Sequence, residues 1–201
     1  MSVDHAAFDE RLRASLAAKL VNEAVTEAIT TYGPEIYALL VSIHKGHATA
    51  DDAFSLFCEN VWKGLPRFEF RSSFRTWAYT IAWHASTRVR DRSASRREVQ
   101  ISDSQLSALA LQIRTDTSSR LAAEKRNRVR ELRETLPEED QLLLVLRVER
   151  ELEWRDLARV MNPEQELDEE TITRESARLR KRFQAVKDRL RELVQNDTES
   201  G

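Results

Sequence analysis

The side chains in this sequence best equipped for chemistry are arginines, set at spacings that suit phosphates and base edges. Between 174 and 191 eight basic residues stand against two acidic ones, and between 67 and 97 eight arginines stand against Glu69 and Asp91. A guanidinium pairs bidentately with phosphate oxygens or, in a groove, with a guanine edge. Arg174 and Arg178 are four apart and share one face of a helix. Lys181 and Arg182 suit phosphates, which position a protein without specifying sequence. Thr171 and Thr173 stand at the start of the same stretch. In the other cluster Phe68 and Phe70 lie in a short loop among Arg67, Arg71 and Arg75, with His84, Arg88 and Arg90 further on. Positive charge beside aromatic rings is what single-stranded nucleic acid needs, because every base offers a face to stack. The competing roles are bland ones. The basic run also fits a solvated face of a terminal helix, and Phe74, Trp77 and Ile81 fit core packing. Arg155 and Arg159 fit either backbone contact or pairing with nearby acids.

Other chemistries find no footing. His5, His44, His47 and His84 are scattered, so no ligand set for a metal is evident. Asp51 and Asp52 are adjacent and do not share a helix face, which argues against an acid/base pair. Cys58 is the single cysteine, so neither a disulfide framework nor a cysteine metal site is available; it is expected to fill a core in a reducing cytosol. Phosphate-binding glycine loops and zinc-protease motifs are missing from the sequence. The expectation is therefore a protein with no cofactor, no metal and no catalysis. No apolar run approaches 18 residues and the first residues do not form a signal peptide, so a cytoplasmic protein without a membrane segment is expected.

These side chains must be positioned by helices. Of 201 residues only four are Gly and four Pro, while Leu, Ala, Glu and Arg dominate. The formal charge of −2 hides a strong asymmetry: 137–170 carries twelve acidic residues and four arginines. Residues 1–30 form one amphipathic helix in this reading, with Phe8, Leu12, Leu16, Leu20 and Val25 on one side, and either pack on the first domain or fray. Gly33-Pro34 breaks that pattern and Pro34 opens the next helix. Lys45-Gly46-His47 is a turn. Thr49 caps a helix with Asp51 and Asp52 in its first turn and Gly64 at its end. Ser72 or Ser73 caps a helix running to about Arg90. Residues 98–118 are polar and the best linker candidate, although Leu106, Leu109 and Leu111 suit a short helix. Pro137 starts a helix that buries Leu142, Leu143, Val145, Leu146 and Val148. A short helix continues the chain to Met161. A long one over 171–193, capped by Thr171, then carries the stripe Ile172, Ala177, Leu179, Phe183, Val186, Leu190 and Leu193. The order helix, short helix, loop, basic helix is that of a helix-turn-helix, with the turn widened by the acidic insert 163–170.

Two blocks carry a family resemblance. Asp51-Asp52-Ala53-Phe54, Val61-Trp62-Lys63-Gly64-Leu65-Pro66-Arg67-Phe68 and Ser72-Ser73-Phe74-Arg75-Thr76-Trp77-Ala78-Tyr79-Thr80-Ile81-Ala82 form the first. Leu136-Pro137-Glu138-Glu139, 142–148, 154–158 and 171–183 form the second. Together they resemble the second and fourth regions of an extracytoplasmic-function (ECF) sigma factor, group 4 of the sigma-70 family. The resemblance implies an all-α protein of two small helical domains joined by a linker, the second a helix-turn-helix. The expected bounds are an N-terminal extension over 1–31, a region 2-like domain over 32–97, a linker over 98–124, a region 4-like domain over 125–195 and a disordered tail over 196–201. It implies no catalysis, but binding of core RNA polymerase, promoter recognition in transcription initiation, and regulation by a partner such as an anti-sigma factor.

The same resemblance implies a set of site residues. Asp51, Asp52, Ser55, Glu59 and Trp62 would face core polymerase. Arg67, Phe68, Phe70, Arg71, Arg75, His84, Arg88 and Arg90 would hold the melted −10 element and its backbone. Thr171, Thr173, Arg174, Arg178, Lys181 and Arg182 would read the −35 duplex, and the linker would run through polymerase channels. The chain departs from the family at Ser55 and Leu56, where Gln and an acidic residue are usual, at Cys58 in place of a usual Phe, and at His84 in place of Asn. Phosphorylation of Ser55 would return negative charge to that face. Two alternatives remain open: a helix-turn-helix regulator that binds duplex DNA without recruiting polymerase, and a helical adaptor that binds only protein.

Overall fold

The computed structural model describes residues 3–44, 47–91, 101–123, 131, 133–163 and 167–199, and the ordered elements among them are helical. The chain divides into two compact units, Met1–Ala123 and Glu124–Gly201.

The first unit begins with α1 (His5–Ala17) and α2 (Val21–His44). Asp4 caps α1 by accepting the Ala7 N–H at 3.1 Å. The single amphipathic helix expected over 1–30 is instead two. Lys19 takes φ 60°, and its N–H and that of Leu20 turn back onto the Leu16 and Ser15 carbonyls. Phe8, Leu12 and Val25 are buried, whereas Leu20 is exposed. The break expected at Gly33-Pro34 does not occur, because α2 runs through Pro34. Tertiary packing on several sides of α2 outweighs the one lost hydrogen bond. A Cβ at Gly33 would lie 2.8 Å from Ile113 Cδ1, so the glycine permits a close helix crossing.

Helix α3 (His47–Gly64) starts two residues before the cap expected at Thr49, which leaves Asp51 and Asp52 beyond the first turn. Of the expected turn 45–47, His47 belongs to α3 and the other two residues lie outside the described set. A short 3-10 turn (Leu65–Arg67) leads to α4 (Phe74–Asp91). Ser73 caps α4, its Oγ accepting the Thr76 N–H at 3.1 Å. Of the residues expected on the core side of α4, Phe74, Ala78, Ala82 and Ala85 are buried, Trp77 and Ile81 are only partly so, and Tyr79 and Trp83 are buried as well. Residues 104–123, expected to be linker, form α5 (Ser104–Ala123), which packs on α2 and α3 in the first unit.

The second unit holds α6 (Glu138–Leu144), continued by a π-helical turn (Val145–Glu149), then α7 (Trp154–Met161) and α8 (Glu169–Glu199). Gln141 is fully buried and donates to the Leu136 carbonyl at 2.8 Å, whereas Val148, expected in the core, is exposed. The π turn shifts the register by one residue, which rotates Val148 outward. Helix α8 is capped by Asp168, not Thr171: the Asp168 carboxylate accepts the Thr171 N–H at 2.8 Å. It includes Glu169 and Glu170 of the expected insert and continues through Glu199, four residues into the expected tail. Its buried stripe is Ile172, Ser176, Leu179 and Val186, so Ser176 takes the place expected of Ala177.

Candidate nucleic-acid interface

The aromatic residues before α4 form one cluster. Phe68 stacks on Trp77 at 4.7 Å between centroids and lies 4.5 Å from Phe70. Phe74 is buried beneath them, 5.6 Å from Trp77 and 5.4 Å from Phe8 of α1. Phe70 takes φ 55°, a conformation that turns its ring back towards the helices. Arg13 of α1 lies over the Phe70 ring at 4.5 Å, within cation–π range. Asp9, also on α1, accepts the Phe74 N–H at 3.0 Å and so supplies a second cap to α4. Burial pushes the Asp9 carboxyl above its ordinary pKa, and this hydrogen bond limits the rise. Helix α1 therefore braces the loop at Phe70 and at its junction with α4. Nothing in the sequence spacing of Asp9 and Arg13 pointed to that role.

The arginines around the cluster fall into two kinds. Arg67 and Arg71 are exposed, Arg71 pairing with Glu69 at 2.8 Å, and Arg88 and Arg90 are exposed at the end of α4. Arg75 is half-buried: its Nε donates to Glu35 at 3.3 Å and its guanidinium lies 5.7 Å from the Tyr79 ring centroid. It ties α4 to α2. His84 is partly exposed on α4. The structure thus brings Arg67, Phe68, Phe70, Arg71 and Arg75 to one end of the unit, with Arg88 and Arg90 at the other end of α4.

Two of the five residues expected to face polymerase on α3 are enclosed. Ser55 and Glu59 are only 5% and 6% exposed. Ser55 Oγ donates to the Asp51 carbonyl at 2.9 Å and lies 3.4 Å from Arg114 Nη1 of α5. Glu59 accepts from the Ser102 N–H at 3.2 Å and the Ser102 hydroxyl at 2.9 Å, and pairs with Lys63 at 2.7 Å. Burial alone would raise the Glu59 carboxyl, but these partners outweigh it and hold the group below its ordinary value. Asp51 accepts from the Tyr37 hydroxyl at 2.7 Å, which is itself pushed up to about 12, chiefly by burial. Asp52 and Trp62 are partly exposed. Cys58 is fully buried, and that burial drives its thiol well above its usual range.

In the second unit α7 and α8 pack as a helix-turn-helix-like pair. Trp154 meets Phe183 edge-on at 5.6 Å, and Ser176 Oγ donates to the Trp154 carbonyl at 3.1 Å. Arg147 and Arg180 lie over the Trp154 ring at 4.9 and 5.6 Å. Thr173, Arg174, Arg178 and Lys181 are exposed on α8, and Thr171 is partly so. Arg178 reaches Glu175 at 3.4 Å. Arg182 differs from its neighbours: it donates to Asp140 at 2.6 Å and Glu139 at 2.7 Å and so clamps α6 to α8. Arg155 pairs with Glu169, and Arg159 with Asp156 at 3.6 Å, which places both with acids.

Among the described residues no group of His, Cys, Asp and Glu is arranged to hold a metal ion, and no helix is long and apolar enough to cross a membrane. Residues 28–96 match the family model described as Sigma-70 region 2. The match spans most of α2, then α3, the aromatic loop and α4, so the chain carries a sigma-70 region 2 domain. No curated protein matches the chain.

Proposed function

We propose that the chain is a sigma factor of the extracytoplasmic-function type, which binds core RNA polymerase and directs it to promoters. The observation that carries this reading is the region 2 match, which falls on the residues that build the aromatic loop and its arginines. In this reading Phe68 and Phe70 offer faces to unstacked bases of the −10 element, and Arg67, Arg71, Arg88 and Arg90 neutralise its backbone. Asp51, Asp52, Ser55, Glu59 and Trp62 on α3 form the face that meets polymerase. Helix α8 enters the duplex groove at the −35 element. There Arg174 and Arg178 take base edges, Thr171 and Thr173 lie near the leading phosphates, and Lys181 holds backbone. Arg75 and Arg182 act by holding the two units in shape.

The test is run-off transcription with core polymerase, the full chain and a promoter-containing genomic library. Defined starts that disappear without the chain support the proposal; their absence together with absence of core binding overturns it. One observation favours a second reading, a helix-turn-helix regulator without polymerase recruitment: Ser55 and Glu59 are nearly inaccessible. Salt-dependent duplex binding with no affinity for core polymerase would select it.

A further inference from the structure

Helix α5 lies where the proposed function needs an open surface. It covers the middle of α3 and crosses α2 at Gly33, burying Leu106, Ala110, Ile113 and Thr117. Its polar side chains then complete the closure. Arg114 reaches Ser55, and Ser118 Oγ sits 3.3 Å from the Tyr37 hydroxyl and 3.4 Å from His47 Nδ1. Just before the helix, Ser102 gives two hydrogen bonds to Glu59. The residues that α5 approaches are among those where the chain departs from the sigma pattern. Ser55, which stands in place of Gln, is the one that Arg114 reaches.

We infer that α5 is an intramolecular cover that occupies the polymerase-docking face of α3 in the free chain and must lift off before core polymerase binds. This rests on the sigma reading and adds a regulated step to it.

The cover is built to be removable. Its buried positions hold two large aliphatic side chains, Leu106 and Ile113, alternating with Ala110 and Thr117, and Leu109 and Leu121 are only half-buried. Leu111 points to solvent, 57% exposed. The last turns hold Thr115, Thr117, Ser118 and Ser119, poor helix formers; Thr115 and Ser119 bond back to carbonyls four residues earlier. By contrast α2 buries eleven residues. An element held mainly by tertiary contacts at low local stability opens without unfolding the rest. The apparent affinity for polymerase is then the intrinsic affinity multiplied by the fraction of chain that is open. Ser55 is also shielded from any modifying enzyme in the closed state.

A cross-link tests this directly. A Cβ at residue 33 would lie 2.8 Å from Ile113 Cδ1 and 3.5 Å from its Cγ2, so the two positions adjoin and Gly33→Cys with Ile113→Cys is the pair to cross-link. Core polymerase binding is measured for the full-length double variant, oxidised and reduced, beside the unmodified chain and each single variant. The inference expects the oxidised protein to bind at least about tenfold more weakly than the reduced one. Ile113→Asp, which loosens the cover, should bind more tightly than the unmodified chain, with its retained helix content checked by circular dichroism. Equal binding by the oxidised and reduced forms, with the unmodified chain binding well, overturns the cover and leaves the sigma reading intact. No binding by any form overturns the sigma reading and the cover with it.

Discussion

Helices α3 and α8 both carry polar side chains that the sequence marks for binding, yet the fold treats the two sets oppositely. On α3, Ser55 and Glu59 are taken up by Arg114, Ser102 and Lys63. On α8, Thr173, Arg174, Arg178 and Lys181 remain exposed. The difference comes from the chain downstream of each helix. Past α4 the chain returns as α5 and closes over α3. Helix α8 is the last of the described helices, and its buried stripe faces α6 and α7. A polar side chain at a helix surface is thus a candidate for binding only once every later element has been placed.

The sharpest way to break the comparison is to remove the packing behind the closed region. Phe74→Ala should cost unit 1 about 3–5 kcal/mol, since Phe8, Tyr32, Phe68 and Trp77 all lean on that ring. Denaturant unfolding checks it, and a loss below about 1 kcal/mol would show that the cluster is not a packed core. On the open side, Arg178→Ala should weaken specific duplex binding by about 1–3 kcal/mol while leaving the unfolding midpoint nearly unchanged. Arg182→Ala should do the reverse, lowering stability by about 1 kcal/mol through the lost α6–α8 clamp, a figure kept small because the pair is partly solvated. If Arg178→Ala destabilises and Arg182→Ala does not, the division between open and committed arginines is wrong.

Acid should distinguish the two helices as well. The Glu59 carboxyl is held below its ordinary value of 4.5, so its contribution to stability is present above that pH and is lost as pH falls through the folded value. Loss of the Ser102 contacts on protonation should loosen the start of α5, read as faster amide exchange on acidification after correction for intrinsic rates. Glu59→Gln should flatten the response. The smallest effect belongs to Arg71→Ala: its pair with Glu69 is exposed, so stability should move by less than about 0.5 kcal/mol.

Much of this architecture is legible in the sequence, for definite reasons. Helix α4 and the apolar stripe of α8 emerge from 3.6-residue periodicity, and Ser73 is a recognisable cap. The sequence misleads where tertiary packing overrides a local signal. Pro34 is a helix breaker by composition but is carried by the packing of α2. Thr171 looks like a cap, yet Asp168, three residues earlier, takes that role with a stronger acceptor. Helix α5 is legible only in part: Leu106, Leu109 and Leu111 suit a short helix, but Ser, Thr and Gln dilute the apolar pattern, and its full length and its docking on α2 and α3 leave no local signal. Of the candidate site, the aromatic loop is visible through the alternation of Phe and Arg. The bracing by Asp9 and Arg13 is not, since contacts 57 to 65 residues apart leave no local trace.

The most direct measurement is hydrogen exchange on the full chain, free and saturated with core polymerase. The account predicts that in the free chain α3 and α5 are protected together, and that on binding α3 gains protection while α5 loses it. Protection of α5 that persists unchanged in a saturated complex, or a chain whose exchange does not respond to core polymerase at all, would contradict it.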